Sequence, residues 1–277
     1  MQILCRPIKL FSVVSLILQE RIPVIKEISF KNSRNQTLTG TLWQAPSKAL
    51  IIMAHGSANN RFAKGLFPQI AEALQKENYN VLSFDFSGHG TSEGDVLTIK
   101  KSVDDLASAI AFGKERGYQK IALVGHSLGA LTCLEAWTPE VRTMILISAL
   151  TGPVKWQWDT RLTKEQFDEM QTTGYITVKV NDGLRETLKV DGNLLNDIKA
   201  VDQKALLSKI TCPVRIIHGN ADQDELELYV ESKKAMEWLP KSSELKVVDG
   251  ATHDFLNSSD KARELVKAWL LRYFPLK

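Results

Sequence analysis

A sharp strand-to-helix turn at residues 121–130, IALVGHSLGA, constrains this chain more than any other feature. The apolar start of this segment predicts a buried strand, and residues 128–136 predict a helix. Between them stand Gly125 and Gly129, whose missing side chains allow strand and helix to pack closely. Ser127, at the centre, must then adopt a strained backbone conformation that holds its hydroxyl above the fold. We therefore predict a nucleophilic serine at the end of a strand.

The composition is that of a globular protein with one large domain. The chain has 277 residues, of which 44% are hydrophobic and 24% charged. Its 35 basic and 32 acidic residues are mixed along the sequence, so the net charge of +3 indicates no nucleic-acid partner. Three cysteines at unrelated spacings argue against a disulfide framework and a zinc site, and they favour a reducing compartment. We expect a cytoplasmic location.

Residues 1–24 are predicted to form an N-terminal extension to a domain that spans residues 25–277. The apolar run at residues 10–18 follows basic residues, as in a signal peptide, but residues 19–21, Gln-Glu-Arg, stand where small cleavage-site residues belong. The run is also too short to cross a bilayer comfortably. We expect no stable membrane insertion, with export as the less favoured alternative.

Apolar, β-branched runs alternate with helical periods along the rest of the chain. Eight runs are candidate strands, at residues 25–30, 38–43, 49–54, 80–86, 120–124, 143–148, 214–218 and 245–248. Helical periods occupy residues 98–116, behind Thr98 as N-cap, and residues 259–273. This alternation predicts an α/β fold with a mainly parallel sheet covered on both faces. Ligands of such folds bind at the carboxyl ends of the strands.

The turn after the third strand, His55-Gly56-Ser57, predicts a partner for the serine. A glycine there allows the backbone to turn back over the sheet, so that the N–H of Ser57 and the N–H of Leu128 point into one space. Together these two groups are predicted to form an oxyanion hole. His55 is expected to brace the loop, and an ordinary turn is the alternative interpretation.

The later histidine that such chemistry needs is His253, which lies just beyond the last strand. His126 and His89 are expected to be structural. Asp222, in the turn that follows His218, is predicted to accept the Nδ1 proton of His253.

Three other carboxylates compete with Asp222 for this role. Asp224 is the main alternative, Glu225 is expected to open the next helix, and Asp249 precedes the histidine without obviously facing it.

With Ser127, Asp222 and His253 in this order, and with the two His-Gly turns, the sequence resembles the α/β-hydrolase superfamily over residues 25–275. The resemblance implies an eight-stranded, mostly parallel sheet with an antiparallel second strand. It also implies a triad on the loops after the fifth, seventh and eighth strands. The chain departs from the family pattern at Ser87, where arginine is usual, and after Asp222, where residues 224–226 replace an apolar residue and proline.

Residues 150–210 interrupt the alternation and are predicted to form a small cap. A helix is expected at 163–170, a hairpin at 175–180 and 184–190, and a second helix at 194–207. The layout resembles the insertion of bacterial cinnamoyl and feruloyl esterases. Four aromatic residues could line an acyl pocket or could instead pack the cap onto the body: Trp156, Trp158, Phe167 and Tyr175.

These features predict a serine hydrolase that cleaves carboxylic esters of small to medium acyl or aromatic acids through an acyl-enzyme. A histidine base and N–H donors supply the chemistry, so no metal or other cofactor is expected. The same triad could serve a thioesterase, a lysophospholipase or an aminopeptidase-like hydrolase, and a non-catalytic ligand receptor is the alternative from another class. The expected partner is a small-molecule ester, and the chain is expected to be a monomer or a homodimer.

Overall fold

The computed structural model describes residues 24–154, 162–180 and 183–276. The predicted N-terminal extension therefore lies almost wholly outside the described residues. An eight-stranded sheet forms the centre, and its strands have these bounds: β1 (Val24–Lys31), β2 (Thr37–Gln44), β3 (Ala49–Ala54), β4 (Asn80–Phe84), β6 (Lys120–His126), β7 (Val141–Ile147), β10 (Val214–His218) and β11 (Glu244–Val247). Each corresponds to a run that the sequence predicts as a strand.

The strand order is β1-β2-β4-β3-β6-β7-β10-β11. β2 pairs antiparallel with β1 and with β4, and all the other pairs are parallel. This confirms the predicted α/β-hydrolase fold with an antiparallel second strand. The carboxyl ends of the parallel strands β3, β6, β10 and β11 meet at one edge, where the candidate site lies.

Helices cover both faces of this sheet. On one face lie α1 (Leu66–Lys76) and α8 (Ser259–Tyr273), and on the other lie α2 (Ile99–Glu115), α3 (Leu128–Glu135) and α7 (Gln223–Ala235). The Thr98 side chain accepts the N–H of Lys101 and begins α2 as predicted. None of the helices in the described ranges is both long enough and apolar enough to span a membrane.

The segment between β7 and β10 contains α4 (Lys164–Thr173), β8 (Tyr175–Lys179), β9 (Thr187–Asp191), α5 (Leu194–Lys199) and α6 (Gln203–Ser208). β8 and β9 form the predicted hairpin, and β9 also pairs in parallel with β5 (Val96–Leu97). The prediction of one helix over 194–207 is wrong. The first helix ends at Lys199, and Asp202 caps a second one, since its side chain accepts the N–H of Ala205.

Candidate active site

Ser127 occupies the turn between β6 and α3 with a positive φ of 54°. A β-carbon on Gly125 would lie 2.6 Å from Cα of Ala130. A side chain on Gly129 would collide with the carbonyl oxygens of Ala54 and His55. Strand, turn and helix therefore pack too closely for any residue but glycine, and the strain this places on Ser127 presents its hydroxyl at the sheet edge.

His253 lies in the loop after β11, and its Nε2 is 3.0 Å from Oγ of Ser127. Its backbone is anchored on both sides. The N–H donates to Oδ2 of Asp222 at 2.7 Å, and the carbonyl oxygen lies 2.9 Å from Nε2 of His126 and 2.7 Å from the hydroxyl of Ser148, which donates to it. Three separate elements thus hold the imidazole in reach of the serine hydroxyl.

The carboxylate that faces the ring of His253 belongs to Glu225, whose Oε1 is 2.8 Å from Nδ1. The prediction that Asp222 fills this role is wrong. Asp222 is the N-cap of α7: its Oδ1 accepts the N–H of Glu225 at 2.9 Å, and its Oδ2 accepts the backbone N–H of His253. The side chain of Asp222 therefore positions both partners without touching the ring.

Glu225 is fully buried and receives more than one donor. Its Oε2 lies 3.0 Å from Nδ1 of His218 and accepts the N–H of Gly219 at 2.6 Å. Burial opposes the charge of this carboxylate, but the hydrogen bonds from His218 and His253 outweigh it and hold its pKa well below the usual range. On the far side, Nε2 of His218 lies 2.8 Å from the hydroxyl of Ser232.

The same carboxylate controls the base. Burial alone would lower the pKa of His253, yet the hydrogen bond and the negative charge of Glu225 raise it above its ordinary value. Because Glu225 accepts the Nδ1 proton, Nε2 of the neutral ring is left to accept the proton of Ser127. The arrangement can deprotonate a serine hydroxyl and then hold the imidazolium that results.

His126 and His89, which are predicted to be structural, are neutral. Burial, with the neighbouring His253, lowers the pKa of His126 to about 4, and burial, with His55, lowers that of His89 to about 3. His126 contacts the backbone of His253 and not the serine hydroxyl. His55 bridges its own turn, since its Nδ1 lies 2.8 Å from the carbonyl oxygen of Gly56 and its Nε2 accepts the N–H of Phe86.

Ser57 and Leu128 lie in the same cavity wall as Ser127. The turn after β3 lies close to Ser127 at Gly56, where a β-carbon would lie 3.0 Å from Cβ of Ser127. Among the loop and turn hydrogen bonds between described backbone groups, none has the N–H of Ser57 or of Leu128 as its donor. Their role as an oxyanion hole stays a prediction.

A cavity of about 210 Å³ opens from Ser127 beneath the segment between β7 and β10. It is lined by Ser57, Ala58, Leu97, Ser127, Leu128, Leu150, Leu162, Gln166, Ile176, Val178, Leu188, Val190, Leu194, Leu195 and Ile198. The prediction that Phe167 and Tyr175 line the pocket is wrong. Phe167 is 48% exposed, because it lies on the outer face of α4, and the ring of Tyr175 packs under the ammonium of Lys189. The predicted pocket residues Trp156 and Trp158 lie outside the described residues.

Across the three described ranges, no group of three or more His, Cys, Asp or Glu side chains is arranged to hold a metal ion.

Residues 45–204, more than half of the chain, match the family model described as serine aminopeptidase, S33. The chain belongs to this family of α/β hydrolases. The matched residues include the turn at Ser127 and the residues after β3. They end before Glu225 and His253, so these two residues are identified by their geometry alone.

Two named relatives match the chain at low identity. The chain is 24% identical to human monoglyceride lipase over 80% of its own length and 81% of that protein. It is 26% identical to the protein YfhR of Salmonella typhimurium over 67% of its length, and the match spans 60% of that relative.

Solved structures share the fold at low identity. Est1E of Butyrivibrio proteoclasticus, solved with ferulic acid bound, superposes with a TM-score of 0.70 at 21% identity, covering 89% of this chain and 98% of Est1E. An esterase of Pyrococcus furiosus gives 0.68 at 22% identity, covering 91% and 92%. These likenesses support the fold of the chain alone.

Ser87, at the position where the resemblance implies an arginine, lies in a network with a buried carboxylate and a cation. Both the N–H and the hydroxyl of Ser87 donate to the buried carboxylate of Asp105. The guanidinium of Arg34, from the β1–β2 turn, donates to Asp105 at 2.7 Å and to the hydroxyl of Ser87 at 3.0 Å. A cation from another part of the chain therefore neutralises the carboxylate beneath this loop.

Proposed function

We propose that the chain is a serine hydrolase that cleaves carboxylic esters through an acyl-enzyme on Ser127. One observation carries the proposal: the hydroxyl of Ser127, the two ring nitrogens of His253 and the carboxylate of Glu225 form one hydrogen-bonded series, with separations of 3.0 and 2.8 Å. The series begins at the mouth of a cavity large enough for a small acyl group.

In the first half-reaction His253 takes the proton of Ser127 as its oxygen attacks the ester carbonyl. The N–H groups of Ser57 and Leu128 donate to the tetrahedral oxyanion, and each such donor is worth about 10²–10³ in rate. His253 then protonates the departing alcohol. Water, activated in the same way, releases the acid and restores the serine.

The segment at residues 150–210 is, in this proposal, the cap that shields the acyl-enzyme from bulk water. Its described part supplies most of the cavity wall through the hairpin and α5. Because the neutral imidazole and the N–H donors already provide base and charge stabilisation, the proposed reaction requires no cofactor.

Labelling with a fluorophosphonate probe and hydrolysis of p-nitrophenyl butyrate test the proposal together. Wild type should be labelled and active, whereas Ser127→Ala should lose labelling and at least about 10⁴ in kcat. Ser242→Ala, at an exposed serine, is the matched control and should retain both. Folded wild type that resists the probe would instead favour a receptor without turnover.

A further inference from the structure

The side chains that line the cavity beneath the hairpin indicate which kind of group can bind there. Apart from Ser57, Ser127 and Gln166, every residue that lines it is aliphatic, and these side chains come from both the body and the segment between β7 and β10. Such a wall offers almost no hydrogen-bond partners, so a hydroxylated or charged group placed there would lose its hydration without compensation. The cavity therefore suits the hydrocarbon part of a substrate.

The volume of this cavity sets the length of that hydrocarbon. An apolar protein cavity of about 150 Å³ accommodates benzene, with six carbon atoms. By proportion, the 210 Å³ measured here accommodates about eight carbon atoms. A two-carbon group would leave most of the cavity empty, and a chain much longer than ten carbons would have to leave it.

A second cavity, of about 530 Å³, shares Ala58 with the first and is the more polar of the two. Asn59, Lys64 and Lys179 line it together with the apolar side chains of Phe62 and Val180. The ammonium of Lys64 lies 2.7 Å from the carboxylate of Asp254, the residue after His253. This polar cavity thus adjoins the loop that carries the proposed base.

The chemistry of the proposed reaction then assigns the two halves. The alcohol departs with the proton that His253 delivers, so its place is on the side of the histidine loop. The acyl carbon stays bonded to Oγ of Ser127, which lies in the wall of the aliphatic cavity. The acid half of the ester occupies the aliphatic cavity, and the alcohol half leaves through the polar one.

On the basis of the proposed function, we propose that the substrates are esters of aliphatic acids of about eight carbons with polar alcohols. An aromatic acid such as ferulic acid fits this wall less well, because Gln166 is the one polar side chain of the described lining besides the two serines, and the acid would bury both hydroxyl and methoxy oxygens.

A pair of isomers tests the orientation directly. Ethyl octanoate and octyl acetate have the same atoms, but only the first places the long chain on the acyl side. We expect kcat/KM for ethyl octanoate to exceed that for octyl acetate by at least about tenfold. Along p-nitrophenyl esters from acetate to tetradecanoate, kcat/KM should rise about three- to fourfold per methylene and stop rising near eight carbons.

A single substitution tests whether this cavity measures the chain. Leu195, half-buried on α5, lines the cavity, and its neighbour Asn196 on the same helix is exposed and does not. In Leu195→Trp the larger ring should shorten the cavity, so the preference for octanoate over butyrate should fall about tenfold or more. Asn196→Trp should leave that preference unchanged.

Preference for octyl acetate, equal rates along the acyl series, or faster turnover of ethyl ferulate than of ethyl octanoate would each overturn this inference. Such results alongside normal fluorophosphonate labelling of Ser127 would leave the proposed function standing. If Ser127→Ala still hydrolysed p-nitrophenyl acetate, the proposed function itself would fail, so the two failures are distinguishable.

Discussion

Replacing Glu225 with glutamine removes one negative charge and preserves the shape of the side chain. One carboxylate oxygen faces two groups, the Nδ1 of His218 and the N–H of Gly219, while the other faces only Nδ1 of His253. A glutamine has one acceptor oxygen, which satisfies more donors when it faces His218 and Gly219. Its amide nitrogen then faces His253, whose Nδ1 must accept. The ring proton moves to Nε2 and points at the serine hydroxyl.

A histidine in that tautomer cannot accept the proton of Ser127. The corresponding change from aspartate to asparagine in a serine protease costs about 10⁴ in kcat, or about 5.5 kcal/mol at about 1.36 kcal/mol per tenfold. We expect kcat of Glu225→Gln to fall by about 10³–10⁴. Asp222→Asn should lower kcat by only about tenfold, because asparagine caps a helix about as well as aspartate and the carboxylate that faces the ring of His253 stays in place.

The comparison needs p-nitrophenyl octanoate or butyrate, circular dichroism to verify folding, and Glu227→Gln as a control. Glu227 is an exposed glutamate on the same helix and should retain full activity after the change. A fall in kcat for Asp222→Asn as large as that for Glu225→Gln would refute the assignment of Glu225. Greater loss in an Asp224→Asn variant than in Glu225→Gln would refute it equally.

Three further outcomes follow from the same contacts. Because Glu225 holds the pKa of His253 above its ordinary value of 6.5, kcat/KM should rise with pH through a midpoint above 6.5. In Glu225→Gln that midpoint should move to lower pH. Rates measured from about pH 5 to 9 would show no movement of the midpoint if the carboxylate were remote from the ring. His218→Leu removes a hydrogen-bond partner of Glu225 and should lower the free energy of unfolding in urea by about 1.5–3 kcal/mol. The carboxylate of Glu225, with one donor fewer, should raise the pKa of His253 and so move the midpoint of the pH–rate profile upward. A purely structural role of His218 would leave that midpoint in place. Gly129→Ala forces a side chain against the backbone beneath the turn, so we expect about 1–3 kcal/mol of lost stability in urea together with weaker fluorophosphonate labelling, and unchanged stability would contradict the packing described here.

The central sheet could be predicted from the sequence because its signals are local. β3 is a short, fully buried apolar run that ends at a glycine turn, whereas β1 alternates polar and apolar residues at the edge of the sheet. Both patterns predict a strand from the residues of the run itself. The turn at Ser127 could also be predicted, because two glycines that flank a serine between an apolar strand and a helix indicate a tight strand-to-helix turn. At Gly125 the constraint is local, since a β-carbon there would meet Ala130, whereas at Gly129 it comes from the carbonyl oxygens of Ala54 and His55 at the end of the neighbouring strand.

The segment between β7 and β10 was harder because its structure depends on distant partners. β5 contains only Val96 and Leu97, too short to give a period, and it becomes a strand by pairing with β9 almost a hundred residues later. Phe167 and Tyr175 have the composition of pocket residues, but the faces of α4 and β8 that they occupy turn outward. Aromatic character alone does not determine which face of a peripheral element is buried.

The spacing of Asp222 and Glu225 explains why the sequence points to Asp222 as the partner of His253 when the structure shows Glu225 in that place. Asp222 and Glu225 are three residues apart at the start of a helix, which is the spacing of an N-cap and its third helical residue. The side chain of Asp222 is occupied by the N–H of Glu225, and the first turn of α7 carries Glu225 inward toward His253. Asp222 thus caps the helix, and the longer side chain of Glu225, one helical turn later, faces the ring of His253. Since Asp222 also holds the backbone of His253, Asp222→Ala should loosen the acid and the base together.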